Sequence, residues 1–362
     1  MNFFKKSITA KFLGGFILFA VLTAGVFYFL GYKGVESIPL NVVGAYFGVL
    51  FLFVIASFVL IVFKPLKTIL GQIQLSLTGK KVKKIFTTRI DEVGIIANFF
   101  NKVTEGFTEV ASDIKDRRRM IDELTMASEL QKGIFPGEPP ELDGLTIVAK
   151  NLPATEIGGD SYDFIDSKDN FYLYIGDVTG HGVRAGLLMG MINAMINSFA
   201  DSLTNAKDII ISVNKHIKKH ALPSMFMTLV MLSYNKVTKK MTYVGAGHEY
   251  MLIYRKATGQ MEAIPSGGTA LGMLPDISKT AKEIEIPLEV GDMIVLYSDG
   301  ITEAKNKAGE LFGVERIKTS FREYVEQYDA SGVNYHISKD LADFVGDESQ
   351  LDDITLIVLQ RT

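Results

Sequence analysis

The chain has no cysteine among its 362 residues. That excludes a disulfide framework, a thiolate zinc site and catalysis by a cysteine nucleophile. It also lacks an excess of either charge: 38 Lys and Arg against 41 Asp and Glu give a formal net charge of −3, so no general basic surface for nucleic acid is expected. Charge is absent altogether from two long stretches near the N-terminus.

Phe12 to Leu30 is a run of 19 uncharged residues and Leu40 to Phe63 a run of 24. As helices they would measure roughly 28 and 36 Å, and each is long enough to cross a bilayer. The first is too long for the apolar core of a cleaved leader, and a second run follows at once. Lys5, Lys6 and Lys11 precede the first run and Lys64 and Lys67 follow the second, whereas the connection carries only Lys33 and Glu36. By the positive-inside rule both ends lie in the cytoplasm, giving a multi-pass protein of the inner (cytoplasmic) membrane whose bulk is cytoplasmic. About nine residues on the outer side cannot fold into a sensory domain.

From Lys64 to about Val110 the pattern is that of a two-helix relay. Pro65 opens a helix with Leu66, Ile69, Ile73 and Leu77 at helical spacing, and Gly79 with a lysine-rich connector ends it. Val93, Ile96, Phe100, Val103, Phe107, Val110 and Ile114 then alternate in steps of three and four, a seam that needs a partner helix and predicts a parallel homodimer. Arg117, Arg118 and Arg119 interrupt it, and Ile121, Leu124, Ala127 and Leu130 resume out of register, in a linker that the Gly137 to Pro140 turn closes.

Beyond residue 145 the chain reads as short strands rich in Val, Ile, Tyr and Phe, punctuated by glycine: LTIVAKNLPA, NFYLYIGDV, FMTLVMLSYN, KMTYVGAGHE, YMLIYRKA, DMIVLYSDG and DITLIVLQR. Between the second and third lie AGLLMGMINAMINSFADSL, apolar on nearly every side and expected to be buried, and the amphipathic NAKDIIISVNKHIKKH. VERIKTSFREYVEQY and YHISKDLADFV supply later helices. The class is α+β.

Carboxylates recur where the apolar runs end: Asp160 in EIGGDSYDF, Asp177 in YLYIGDVTGHG, Asp299 in IVLYSDGITEA, and Asp352 with Asp353 in DDITLIVL. One such site alone is an ordinary turn. Four together suit hard divalent cations, because oxygen ligands select Mg²⁺ or Mn²⁺ and glycine lets backbone and water crowd an ion. The residues therefore point to a metal-carboxylate hydrolase.

ELQKGIFP at 129–136, GGDSYDF, GDVTGHG, GAGHEYMLIYR at 245–255, LYSDGITEA and DDITLIVL, in that order, make the segment from Met126 to Gln360 resemble the SpoIIE/RsbU branch of the PPM metal-dependent protein serine/threonine phosphatases. DEVGIIANFFNKV is similar to the opening of the second helix of a HAMP relay. The resemblance implies a two-sheet β-sandwich flanked by helices, preceded by two transmembrane helices (1–63), a HAMP domain (64–112) and a regulatory linker helix (113–136), with the phosphatase domain at 137–362. It implies two divalent ions, Mn or Mg. Asp177 would bridge both, the Val178 carbonyl would help hold one, Asp160 would act near the first, partly through waters, and Asp299 and Asp352 would hold the second. Asp160 and Asp177 would thus be the catalytic carboxylates. Only one of Asp352 and Asp353 should face the metals, since strand neighbours point opposite ways.

The implied substrate is a phosphoserine or phosphothreonine protein, a STAS-type anti-anti-sigma factor in a partner-switching pathway. No arginine precedes the first aspartate motif to bind phosphate. His181 in GHG is a candidate acid for the leaving group, and His248 is first expected to hold a loop. Asp163 reads as a supporting residue and Asp292 as a turn. Two other outputs compete: a catalytically silent scaffold binding such a partner, and a nucleotide cyclase, because GGDSYDF superficially resembles a GGDEF motif. Retention of all four aspartates opposes the first, and Ser161 and Tyr162 in place of Glu-Phe oppose the second.

Overall fold

A computed structural model describes residues 7–32, 39–220 and 224–362. The chain divides into two compact units, Met1–Arg119 and Met120–Thr362.

In the first unit the two apolar runs form α1 (Ile8–Tyr32) and α2 (Leu40–Phe58). They pack through rings, Phe19 lying 5.8 Å from Tyr46 and 5.3 Å from Phe53. Their outward apolar side chains, Leu18, Leu22, Phe51 and Leu52 among them, are exposed. A helix start at Pro65 is the sequence expectation, but α2 runs on through a π-helical turn (Val59–Phe63) into α3 (Lys64–Leu77). Proline has no N–H and its ring crowds the preceding turn, and a widened turn absorbs that without ending the helix. Gly79, at φ 71°, then stops it.

The fourth helix, α4 (Glu92–Lys132), begins with a buried carboxylate. Asp91 accepts from the Arg89 guanidinium at 2.7 Å, from Lys11, and from the Gly94 N–H at 3.2 Å. Burial alone would raise its pKa, but these donors hold it far below the ordinary carboxylate range. Ile69, Val93 and Ala97 form a small core with Ile8, Ile73 and Ile85. The rest of the heptad seam has little cover among the described residues: Ile96, Val103, Phe107, Val110 and Ile114 are exposed and Phe100 is half-buried. The three arginines do not interrupt α4, because a register change alters which face is apolar and leaves the backbone ladder intact. The helix ends at Lys132, before the Gly137 turn, with Gly133 N–H bonded to Glu129 O.

The second unit is a sandwich of two antiparallel five-stranded sheets. One runs in the order β1-β10-β9-β6-β7, from β1 (Leu145–Leu152), β6 (Tyr250–Arg255), β7 (Gln260–Pro265), β9 (Met293–Tyr297) and β10 (Ile354–Arg361). The other runs β2-β3-β4-β5-β8, from β2 (Asp160–Asp166), β3 (Asn170–Val178), β4 (Met227–Asn235), β5 (Met241–Ala246) and β8 (Glu283–Ile286). Alternate residues of both sheets, such as Leu173, Ile175, Ile253 and Ile357, fill the space between them.

Each outer face is covered by helices. Helices α5 (Val183–Ala200) and α6 (Ala206–His220) bury Met189, Ile192, Ile209 and Val213 on the β3 side. The short turn α7 (Asp299–Thr302), α8 (Gly313–Tyr324) and α9 (Ala330–Val345) cover the other sheet. Among the described residues, three helical stretches are long and apolar enough to cross a membrane: Ile8–Phe29, Leu40–Leu77 and Val183–Ala200. The last is α5, whose inner face packs into the sandwich core, so its hydrophobicity is explained by folding. It is not apolar-buried all round, since Val183, Leu187 and Met191 form an exposed stripe.

Candidate active site

The register of two strands assembles the site. β2 and β3 pair so that Asp160 lies opposite Asp177, and β4 continues the sheet with Thr228 opposite Asp177. From the other sheet, Asp299 opens α7 directly after β9, and Asp352 and Asp353 precede β10, the strand beside β9.

Asp353 settles the loop between β1 and β2. It is buried, and its carboxylate accepts from Gly159 N–H at 2.5 Å, Asp160 N–H at 3.3 Å and Ala154 N–H at 2.7 Å. Three backbone donors therefore rest on one side chain across some 195 residues of sequence. Gly158 leaves it room, since a Cβ there would lie 2.5 Å from Asp353 Oδ2. Asp353→Ala should destabilise the protein by about 3 kcal/mol, because it strands those donors in the interior. A melting temperature within a degree of wild type would contradict this clamp.

Asp352, next to it, is exposed and bears instead on Asp177 and Asp299. Thr355 donates to Asp160 Oδ2 at 2.5 Å and accepts from Asn151 Nδ2 at 2.8 Å. Burial, then the charge of Asp177, drives the pKa of Asp160 well above its ordinary value. Burial, followed by Asp299, Asp352, Asp353 and Glu303, pushes Asp177 up to about 8. Burial, then Asp352, Glu303 and Glu249, pushes Asp299 up to about 6. No lysine or arginine forms an ion pair with Asp160, Asp177, Asp299 or Asp352 among the described residues. Sequence reading missed Glu249 and Glu303; neither stands out as a strand-end aspartate.

Such mutual repulsion without a counter-ion fits a cation site. Gly159 supplies a cradle: a Cβ on it would lie 2.8 Å from Val178 O, 3.1 Å from Gly180 O and 3.3 Å from Asp177 Oδ1. The donors are all hard oxygens, the set that Mg²⁺ and Mn²⁺ take. No three acidic or histidine side chains among the described residues come close enough to hold an ion alone, so carbonyls and water must complete any coordination.

The companion residues divide. His181 is exposed. His248 Nδ1 lies 3.0 Å from Thr228 Oγ1, and Thr228 sits 3.5 Å from the Asp177 carbonyl, so this histidine braces the strand beside Asp177. Burial drives its pKa down to about 4, leaving it neutral at pH 7. Asp163 Oδ2 accepts from Asn193 and Asn197 of α5, at 2.9 and 2.7 Å, and Asn193 also reaches Tyr174. Asp292 is more than a turn residue: it is buried and accepts from Arg255, Lys256 N–H and Glu289 N–H. Gln131, near the end of α4, brackets Gly158 with both amide atoms, Oε1 receiving its N–H at 3.0 Å and Nε2 reaching its carbonyl at 2.8 Å. Nothing in its spacing marks it, since a single amide on a helix carries no pattern.

Residues 167–362 match the family model described as Stage II sporulation protein E (SpoIIE). The chain belongs to the SpoIIE family. Among its relatives is phosphoserine phosphatase RsbU of Bacillus subtilis (strain 168), 28% identical over 294 residues, spanning 79% of this chain and 85% of RsbU. Protein IcfG of Synechocystis is 28% identical over 306 residues, but the match spans 47% of IcfG and 75% of this chain. In fold it resembles the SiaA-PP2C domain of Pseudomonas aeruginosa, with TM-score 0.56 and 22% identity over 68% of this chain and 98% of that one. It is also like the RsbU and RsbW domains of Rv1364c from Mycobacterium tuberculosis, with TM-score 0.55, 22% identity and 63% of each chain covered. Fold and family together make this SpoIIE-family chain a protein serine/threonine phosphatase of the PP2C type, with two N-terminal apolar helices able to span a membrane.

Proposed function

We propose that this phosphatase is tethered to the cytoplasmic membrane, is governed by a HAMP-type relay, and removes phosphate from a phosphoserine or phosphothreonine of a STAS-type anti-anti-sigma protein in a partner-switching pathway. The observation that carries the chemistry is the convergence of Asp160, buried, with Asp177 and Asp299, half-buried, with no ion-pair partner among the described residues and with each carboxyl pushed above its ordinary pKa by burial and by its acidic neighbours. Bound there, two Mg²⁺ or Mn²⁺ ions would lower the pKa of a shared water and take up charge on the phosphoryl oxygens. Asp177 would hold both and the Val178 carbonyl would help hold one, with Asp160 near the first and Asp299 and Asp352 on the second. Thr355 orients the Asp160 carboxylate, and Asp353 and Gln131 together fix the glycine loop that carries it.

The substrate reading rests on kinship with RsbU, itself named as a phosphoserine phosphatase. Membrane topology rests on α1 and α2 and on the lysines flanking them. The relay and a parallel dimer are supported by the bare seam of α4 and by the Gln131 bracket at that helix's end.

One experiment addresses substrate and relay together. Full-length protein in lipid nanodiscs, carrying Phe107→Cys, is assayed for phosphate release from a serine-phosphorylated STAS-domain protein, before and after disulfide formation. Release is expected with Mn²⁺ and not with EDTA, and crosslinking should change its rate at least about threefold. Hydrolysis of p-nitrophenyl phosphate without release from the STAS protein would sink the substrate assignment. Equal rates in both redox states would sink the relay.

A further inference from the structure

A cavity lies beside the acid cluster. It has a volume of about 370 Å³ and is bounded by β1, α7, α9 and the start of β10. That is within the range of small-molecule sites. Its floor is fully apolar: Ile301 and Ile337 are completely buried, and Leu341 and Leu356 nearly so. At the rim Leu152 and Leu351 are 51% and 67% exposed, although each is a large hydrophobe.

Two further features give the cavity a chemistry and a lid. Lys150 and Lys305 line it, and neither side chain has an ion-pair or hydrogen-bond partner among the described residues. Glu303 lines it too, but its charge bears on Asp177, Asp299 and Glu249, on the metal side. Asp352 lines it as well, and its charge likewise bears on Asp177 and Asp299, which leaves Glu348 to oppose the two lysines. The segment 346–352 passes over the cavity as a strap, pinned where Gln350 Nε2 donates to both Leu152 O and Asp352 O at 2.8 Å. The cavity and the acid cluster share a wall: Gly300 and Asp352 line the cavity, Asp352 itself bears on Asp177 and Asp299, and the adjoining Asp299 and Asp353 belong to the cluster and its clamp.

We propose that this cavity is a regulatory site for a small apolar molecule bearing one anionic group, the apolar body filling the space under the strap and the anion meeting Lys150 and Lys305. Occupancy moves the strap, and with it Asp352, so the ligand reads out as a change in metal dependence. Binding is independent of the proposed substrate; only the readout rests on the metal-site reading.

Naphthalene-2-sulfonate, an apolar bicycle with a single anion, serves as the probe. Equilibrium dialysis against full-length protein in nanodiscs, corrected with empty discs, should show one saturable site per chain. Ser338→Phe, which fills the cavity from α9, and the surface pair Lys150→Ala/Lys305→Ala should each weaken it at least about tenfold. Failure to saturate, or equal binding by wild type and both variants, overturns the site. In the same samples the Mn²⁺ concentration giving half-maximal hydrolysis of p-nitrophenyl phosphate should shift at least about threefold with probe in wild type and stay fixed in Ser338→Phe. Saturable binding with no such shift overturns the regulatory role, and binding without any turnover would indict the enzyme assignment instead.

Discussion

Asp177→Asn should lower Mn²⁺-dependent hydrolysis of p-nitrophenyl phosphate by roughly 10³-fold in the full-length protein. The side chain keeps its size, so β3 and its pairing with β2 and β4 should persist. What is lost is the charge at the centre of the cluster: Asp177 feels Asp299, Asp352, Asp353 and Glu303, and its carboxylate oxygen shares the Gly159 cradle with two carbonyls. An amide there cannot neutralise a divalent ion. Asp166→Asn, on the same β2–β3 hairpin but with a 57% exposed side chain, should leave turnover within about twofold. Turnover by Asp177→Asn comparable to that control would remove the metal mechanism, while loss of activity in both would point to the fold.

Metal should also stabilise the protein more as pH rises. The folded-state pKa values of Asp177 and Asp299 are raised, to about 8 and about 6, whereas an unfolded aspartate titrates near 3.9. Without metal the folded state holds protons that the unfolded chain has released, so stability is greatest below the unfolded pKa and falls as pH rises through the folded values. A divalent cation replaces those protons and relieves the repulsion, which is greatest once both groups are ionised. The increase in melting temperature on adding millimolar Mg²⁺ should therefore be at least about 4 °C larger at pH 8 than at pH 6. An increment that is equal or smaller at pH 8 would mean that these carboxylates are not where the cation binds.

Much of this architecture was legible as pattern. The long uncharged runs, the heptad seam and seven of the strands announce themselves because each follows one period over many residues. β2 is different: it carries Asp160, Ser161 and Asp163 facing protein rather than water, and their partners are Tyr174 on the next strand and, farther off in sequence, Asn193, Asn197 and Thr355. β7 and β8 are edge strands with few buried side chains, too weakly patterned to stand out. Resemblance supplied the proposed roles of the strand-end aspartates, but not Asp353's work as a clamp, nor Gln131, Glu249 and Glu303. Those depend on which loops the sandwich brings together, and a one-dimensional spacing holds no record of that.

The same clamp gives the molecule a direction in time. During synthesis α1 and α2 leave the ribosome first and the bare seam of α4 next, whereas the donors of the glycine loop gain Asp353 only after nearly 200 further residues. β10 must also slot between β1 and β9 before that sheet is whole. On the proposed topology and pairing, insertion into the bilayer and association with a second chain can thus be complete while the carboxylate cluster is still open. A nascent chain held on the ribosome with residue 340 at the peptidyl-transferase centre would then be an anchored, dimerisation-competent and inert phosphatase.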